Sequence, residues 1–215
     1  MTRQRGELPP RGGERGYDDT DEKRMLRVGR GDKGAFDEIV RRYASKMVNL
    51  AYRITGDREL AEDIGQETFF RAYRSAARYR EISKFSTWLH TIAINLCRNE
   101  LRRRKFRMYS LEGMAERDED SKIRIDVADE KGKPDREVER KELGRLIKDA
   151  VATLPEKFKT PLVLRDMQGL TYEEIGQILD LPEGTVKSRI NRARLRVKEL
   201  LEPKLRDEDL GGSRV

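Results

Sequence analysis

The stretch from Thr171 to Arg194 constrains this chain more than any other: it reads as two short helices joined by a tight turn, the second of them basic. Thr171 and Glu174 have the spacing of a capping box, a hydroxyl closing the first turn and a carboxylate three residues on reaching back. Ile175, Ile178 and Leu179 then form an apolar stripe at helical spacing. Asp180 stands where the chain must turn, which its short polar side chain suits. Pro182 falls in the first turn of the next helix, where its missing N–H is not needed. On that second helix Val186, Ile190, Ala193, Val197 and Leu200 share one face and are expected to pack inward. Lys187, Ser188, Asn191 and Arg192 lie on the other side, near the helix start. This is the form of a helix-turn-helix, whose second helix enters the DNA major groove with its N-terminal residues on the base edges. Lys and Arg suit guanine there, Asn suits adenine and Ser is less selective. Gly184 and Thr185, at the helix N-terminus, suit a backbone phosphate.

A polyanionic partner agrees with the charge balance: 47 Lys and Arg against 40 Asp and Glu give a net charge of +7, and the sequence pI is about 9.5. With 40% charged residues and a mean hydropathy of −0.86, no apolar run is long enough to cross a bilayer, so no membrane insertion is expected. No signal-peptide pattern opens the chain. The single cysteine, Cys97, excludes an internal disulfide and points to a reducing compartment. With one histidine, His90, there is no Cys/His metal-ligand set. Neither a phosphate-binding glycine loop nor a nucleophile–base constellation can be assembled. No cofactor and no enzymatic activity are expected, and His90 and Cys97 are read as structural.

Strand signals are nearly absent, and the apolar periodicity divides the chain into two small all-helical domains. Residues 1–20 read as a disordered extension and 21–108 as the first domain. In it, Met25, Leu26 and Val28 belong to a short helix ending near Gly29–Gly31. Phe36 to Ile54 continue the period through a second helix, and Asp57 is placed to cap a third that runs to about Ser75. A loop, Arg78 to Phe85, leads to a fourth helix capped by Ser86 or Thr87. Residues 109–139 read as a flexible charged linker, 140–203 as the helix-turn-helix domain and 204–215 as a fraying tail. The second domain opens on a hairpin through Leu143, Leu146, Ile147, Ala150, Val151 and Leu154.

The first domain carries a second clue. On its fourth helix Trp88, Leu89, Ile92, Ala93 and Leu96 form a core stripe. Thr91, Asn95, Arg98 and Arg102 form a polar stripe rimmed by Asn99, and the helix ends in the cluster Arg102-Arg103-Arg104-Lys105-Phe106-Arg107. Such a track suits phosphates. On the third helix Asp63, Gln66 and Phe70 point away from the core residues Leu60, Ala61, Ile64 and Thr68. An aromatic among polar groups is a candidate protein-docking surface.

These residues together resemble the extracytoplasmic-function (ECF) sigma factors of bacterial RNA polymerase, over residues 22–108 and 140–202. Asp63-Ile64-Gly65-Gln66-Glu67-Thr68-Phe69 is similar to their region 2.2. Phe85-Ser86-Thr87-Trp88-Leu89 with Ile92-Ala93-Ile94-Asn95 is similar to regions 2.3 and 2.4. Leu154-Pro155-Glu156-Lys157, Leu170 to Ile175 and Gly184 to Arg189 are similar to region 4. The resemblance implies a first domain that docks on the β′ clamp helices of core RNA polymerase and melts and holds the minus-10 element as single strand. It also implies a second domain that reads the minus-35 element as duplex beside the β flap. It places Asp63, Gln66, Glu67 and Phe70 at the polymerase. Trp88, Asn95, Arg98, Asn99, Arg102 and Arg103 are placed at the minus-10 strand, with the Arg80–Phe85 loop as its pocket. Thr185, Lys187, Ser188, Arg189, Asn191 and Arg192 are placed at the minus-35 duplex. Such factors work in the bacterial cytoplasm and are commonly held inactive by an anti-sigma protein. The competing reading is a stand-alone helix-turn-helix regulator with the first domain as a sensor. Such a regulator usually dimerises on a palindrome, and the basic, Asn-bearing fourth helix argues against a sensor.

Overall fold

A computed structural model describes residues 20–111 and 136–211, with side chains over 20–107 and 142–203. All of the expected N-terminal extension but Thr20, most of the expected linker and residues 212–215 lie outside the described residues. Among the described residues there are eight α-helices and no strand. The N-terminal bundle comprises α1 (Asp21–Gly29), α2 (Lys33–Thr55), α3 (Arg58–Ser75) and α4 (Phe85–Leu111). The C-terminal bundle comprises α5 (Arg136–Ala152), α6 (Glu156–Leu162), α7 (Tyr172–Leu179) and α8 (Glu183–Gly211). α4 and α5 each extend into the segment expected to be linker, and α8 continues through most of the segment expected to fray.

The helix ends follow local chemistry. The side chains of Thr20, Asp32 and Asp57 accept the N–H groups of Lys23, Ala35 and Leu60 and cap α1, α2 and α3. Gly56 ends α2 in the left-handed conformation at φ 73°, which a glycine adopts without strain. α4 departs from expectation. It starts at Phe85, so Ser86 and Thr87 lie inside its first turn. The Phe85 N–H is held by the Glu22 carboxylate of α1 at 2.6 Å, a cap supplied from 63 residues away that local reading does not reveal. The second oddity is a π-helical turn, Val163–Met167, that continues α6 beyond Pro161.

α2 packs along α3, and Gly65 leaves room for it: a Cβ there would stand 2.6 Å from Val48 Cγ2. The core of the N-terminal bundle holds Met25, Ile39, Met47, Leu50, Ile64, Phe69, Phe85 and Leu89, all buried. In the C-terminal bundle Val163, Leu164, Ile175, Val186 and Ile190 are buried. The expected inward face of α8 holds at Val186, Ile190 and Ala193. It then fades: Val197 is half-buried and Leu200 is exposed, because α8 has outrun the helices beneath it.

The buried residues of the two bundles form one continuous cluster, with α7 laid against α4 and the α6–π segment against α2.

Candidate nucleic-acid interface

The helix-turn-helix closes as its sequence dictates. Thr171 accepts the Glu174 N–H at 3.2 Å while Glu174 accepts the Thr171 N–H at 2.8 Å, completing the capping box. Asp180 takes the left-handed conformation at φ 55°, and the Leu181 N–H reaches the Gly176 carbonyl at 3.0 Å. Gly176 is needed there, since a Cβ would lie 2.9 Å from the Leu181 oxygen. Across the motif Arg194 grips Asp166 with two contacts of 2.6 and 3.1 Å, fixing α8 against the π turn.

On the outer face of α8, Lys187, Ser188, Asn191 and Arg192 are all exposed on the first turns, and Thr185 is half-buried. Lys187 pairs with Glu183 at 2.6 Å, which raises its pKa. Ser188 Oγ donates to the Thr185 carbonyl at 2.9 Å. Arg189 departs from this group. It is half-buried and turns toward the N-terminal bundle, where it lines a pocket of about 420 Å³ together with Arg98, Glu156 and Lys157.

The second candidate face is on α4. Asn95, Asn99, Arg102 and Arg103 are exposed and Arg98 is half-buried. Arg103 pairs with Glu100 at 2.8 Å, and Arg104 reaches Asp57 at 2.6 Å, tying this end of α4 to the cap of α3. Trp88, expected in the core stripe, is only half-buried. It stands at the edge of an aromatic cluster, 5.0 Å from Tyr79 and 5.8 Å from Phe85, ring centre to ring centre. Tyr43 packs on Phe85 at 5.5 Å and donates its hydroxyl to Asp21 at 2.7 Å. Burial pushes the Tyr79 hydroxyl up to about 12. Above the cluster the Arg80–Lys84 loop holds Ile82 almost fully in solvent. An indole braced by buried rings beside exposed Asn and Arg side chains can stack and hydrogen-bond an unpaired base. Sequence reasoning named Trp88 but missed Tyr43 and Tyr79 beneath it, because the three come from different elements.

On α3 Asp63, Gln66 and Phe70, the candidate docking residues, are exposed; Glu67 is half-buried and pairs with Arg71 at 2.7 Å. Phe70 is 55% exposed with the Arg74 guanidinium 5.5 Å from its ring centre. The face is larger than expected. Tyr73, one turn beyond Phe70, is also exposed and packs on Phe36 of α2 at 5.0 Å. The spacing of Phe70 and Tyr73 along one helix was the signal for it.

Family models for Sigma-70 region 2 and Sigma-70 region 4 match residues 39–107 and 144–197. The RNA polymerase sigma-H factor of Pseudomonas aeruginosa is 38% identical over 187 residues, covering 87% of this chain and 96% of the relative. The ECF RNA polymerase sigma-E factor of Haemophilus influenzae is 38% identical, covering 86% and 96%. The chain belongs to the ECF sigma factors. The N-terminal bundle is their region 2 and the C-terminal bundle their region 4. The fold agrees. The sigma factor RpoE solved with the anti-sigma factor NepR from Bartonella quintana aligns over 78% of this chain and 96% of its own, with a TM-score of 0.62 at 24% identity. CnrH solved with the cytosolic domain of CnrY aligns over 85% and 97%, also at 0.62, with 21% identity. As an ECF sigma factor the chain is a DNA-binding transcription initiation factor. No described helix is long and apolar enough to cross a membrane, and no acidic, His or Cys cluster among the described residues could hold a metal ion.

Proposed function

We propose that this sigma factor divides its labour along the residues described above. Asp63, Gln66, Glu67 and Phe70, extended by Tyr73, dock on the β′ clamp helices of core polymerase. Trp88, Asn95, Arg98, Asn99, Arg102 and Arg103 hold the melted minus-10 strand under the Arg80–Lys84 loop. Thr185, Lys187, Ser188, Asn191 and Arg192 read the minus-35 duplex, with Arg189 at the edge of that face and region 4 beside the β flap. The factor has no catalytic activity of its own and works in the bacterial cytoplasm. An anti-sigma protein is a proposed further partner, since the sigma factor RpoE of like fold was solved with an anti-sigma factor and CnrH, also of like fold, with the cytosolic domain of CnrY.

The observation that carries this reading is that one chain presents two exposed polar and basic faces of different kind, on α4 and on α8. One has an aromatic platform with amides, suited to unpaired bases; the other has a recognition helix, suited to a major groove. A stand-alone operator binder has use only for the second. The test is run-off transcription with purified core polymerase on a pool of genomic promoters, with and without this protein. New start sites preceded by two shared short elements are the expected result. Tight duplex binding without polymerase and no new transcript would return the reading to a stand-alone regulator.

A further inference from the structure

α4 begins without a cap of its own. The Trp88 N–H closes the first turn on the Lys84 carbonyl at 3.1 Å. That puts Lys84 at the capping position, and an ammonium has no lone pair to offer a backbone N–H. The amides of Phe85, Ser86 and Thr87 therefore have no partner within the helix. The Thr87 hydroxyl does not serve them, being buried and without a hydrogen bond. The Glu22 carboxylate takes the Phe85 N–H instead, at 2.6 Å, and sets a negative charge at the positive end of the helix.

The amide that Glu22 holds stands at a joint. On one side of Phe85 is the Arg80–Lys84 loop, and on the other, one turn along, is Trp88. The Phe85 ring is fully buried and lies among Tyr43, Tyr79 and Trp88 at 5.5, 6.2 and 5.8 Å between ring centres. Any shift of the Phe85 main chain moves the loop and the aromatic platform together. α1 is a firm anchor for this joint. Asp21, the residue before Glu22, accepts the Tyr43 hydroxyl and an Arg42 N–H, each at 2.7 Å. Arg24 reaches Glu38 at 2.9 Å, so the first turn of α1 is fixed on α2. At the other end of α1, Gly29 lets the helix close on the turn that follows α3: a Cβ there would stand 2.6 Å from the Ala76 oxygen. Asp21 thus steadies the platform from beneath, through Tyr43, and Glu22 steadies it through the main chain.

We propose that Glu22 is a positioning residue for the melted minus-10 strand. From α1 it holds the joint between the Arg80–Lys84 loop and α4, so that an unpaired base meets Trp88 already in place. Its contact is with the Phe85 amide and not with DNA. The inference rests on the minus-10 reading of α4 and adds a residue which that reading does not contain. A pre-formed ledge spares the strand the cost of ordering it at the moment of binding. Loss of the brace therefore appears as weaker capture of the strand. The fold survives, because Met25 and Val28, the buried residues of α1, are untouched.

Trp88 is the single tryptophan of the chain, so its fluorescence reads the platform without a label. In the free full-length chain, E22A should raise acrylamide quenching of Trp88, with far-UV helicity unchanged. In the holoenzyme, E22A should bind a labelled single strand carrying the minus-10 element of a promoter found by run-off about fivefold more weakly, the effect of a lost helix cap. Affinity for the minus-35 duplex of the same promoter should stay as in the wild type. E22Q keeps an oxygen of the same reach for the Phe85 N–H and should recover most of both losses. Wild-type affinity of E22A for the single strand would overturn the proposal, as would equal weakening on both probes, which marks a general loss of structure. Weaker capture with Trp88 quenching unchanged would make Glu22 a direct DNA contact instead, and E22Q as weak as E22A would rule out the hydrogen bond as its means. A wild type that yields no run-off would remove the sigma reading, with the effect of E22A on Trp88 still measurable. An active wild type with an unaffected E22A would remove the positioning role and leave the sigma reading standing.

Discussion

Phe69 and Phe70 are adjacent, chemically identical and expected to fail in opposite ways. Phe69 is 8% exposed and meets the Phe36 ring edge-on at 6.5 Å. Truncation to alanine should remove about 3 kcal/mol of stability, the low end for a buried Phe because the site touches the surface. In a chain of this size that lowers the melting temperature by roughly 6–12 °C. Phe70 is 55% exposed, with the Arg74 guanidinium 5.5 Å from its ring centre, an exposed cation–π contact worth about 0.5 kcal/mol. F70A should therefore shift the melting temperature by only about 1–2 °C. Its cost should appear on binding instead. An exposed aromatic at the centre of a docking face is the residue type whose truncation costs about 2 kcal/mol or more, close to a 30-fold rise in Kd. Circular dichroism melts and fluorescence anisotropy against core polymerase separate the two quantities. A melting temperature for F70A as low as that of F69A would show Phe70 to be core. Unchanged polymerase affinity in F70A would remove it from the docking face.

R192A should lower affinity for the cognate minus-35 duplex by ~1–3 kcal/mol and relax preference at one position; an unchanged sequence preference in a binding selection would take Arg192 off the readout face. G65A forces a methyl group to within 2.6 Å of Val48 Cγ2, so overpacking of about 1–3 kcal/mol should outweigh the gain of about 1 kcal/mol in helix propensity. Adding V48A should restore part of the loss in urea melts, and strict additivity of the two changes would disprove the clash. The Asp57 carboxylate holds Arg104 at 2.6 Å and the Leu60 N–H at 3.0 Å, and the hydrogen bond from Arg104, first, holds its pKa below the ordinary carboxylate value. The group is depressed in the folded chain, so its stabilisation is present above about pH 4 and is lost as pH falls further. D57N keeps a capping oxygen but not the charge, and should cost about 0.5–1 kcal/mol at neutral pH after solvent screening while flattening the acid limb of the stability curve. An acid limb as steep as that of the wild type would assign the effect to other carboxylates.

What could be read in advance was what is local. The Thr171–Glu174 box, the Asp180 turn, the Asp57 cap and the outer face of α8 each follow from residues within one or two turns of one another, and each stands where the sequence put it. The Glu22 carboxylate that starts α4 and the Tyr43–Tyr79–Trp88 platform could not be read this way, because their members meet only after three helices have packed. Trp88 illustrates the difference. Its spacing made it core, while its neighbours made it a half-covered ledge.

α4 shows why a single-stripe reading of a helix can hide an interface. Its core stripe and its polar stripe, Thr91–Asn95–Arg98–Arg102, were both visible in the sequence and together seemed to account for the whole circumference. Yet Ile94 and Cys97 belong to neither, and each is fully buried. Apolar residues left over after one amphipathic face has been assigned are a statement about a second neighbour. Here α4 is packed by α1, α2 and α3 of its own bundle and by α7 of the other. Region 4 meets α4 at Arg98, a member of the polar stripe proposed to hold the minus-10 strand. Its pairing with Glu156 of α6 and its proposed phosphate contact draw on the same guanidinium.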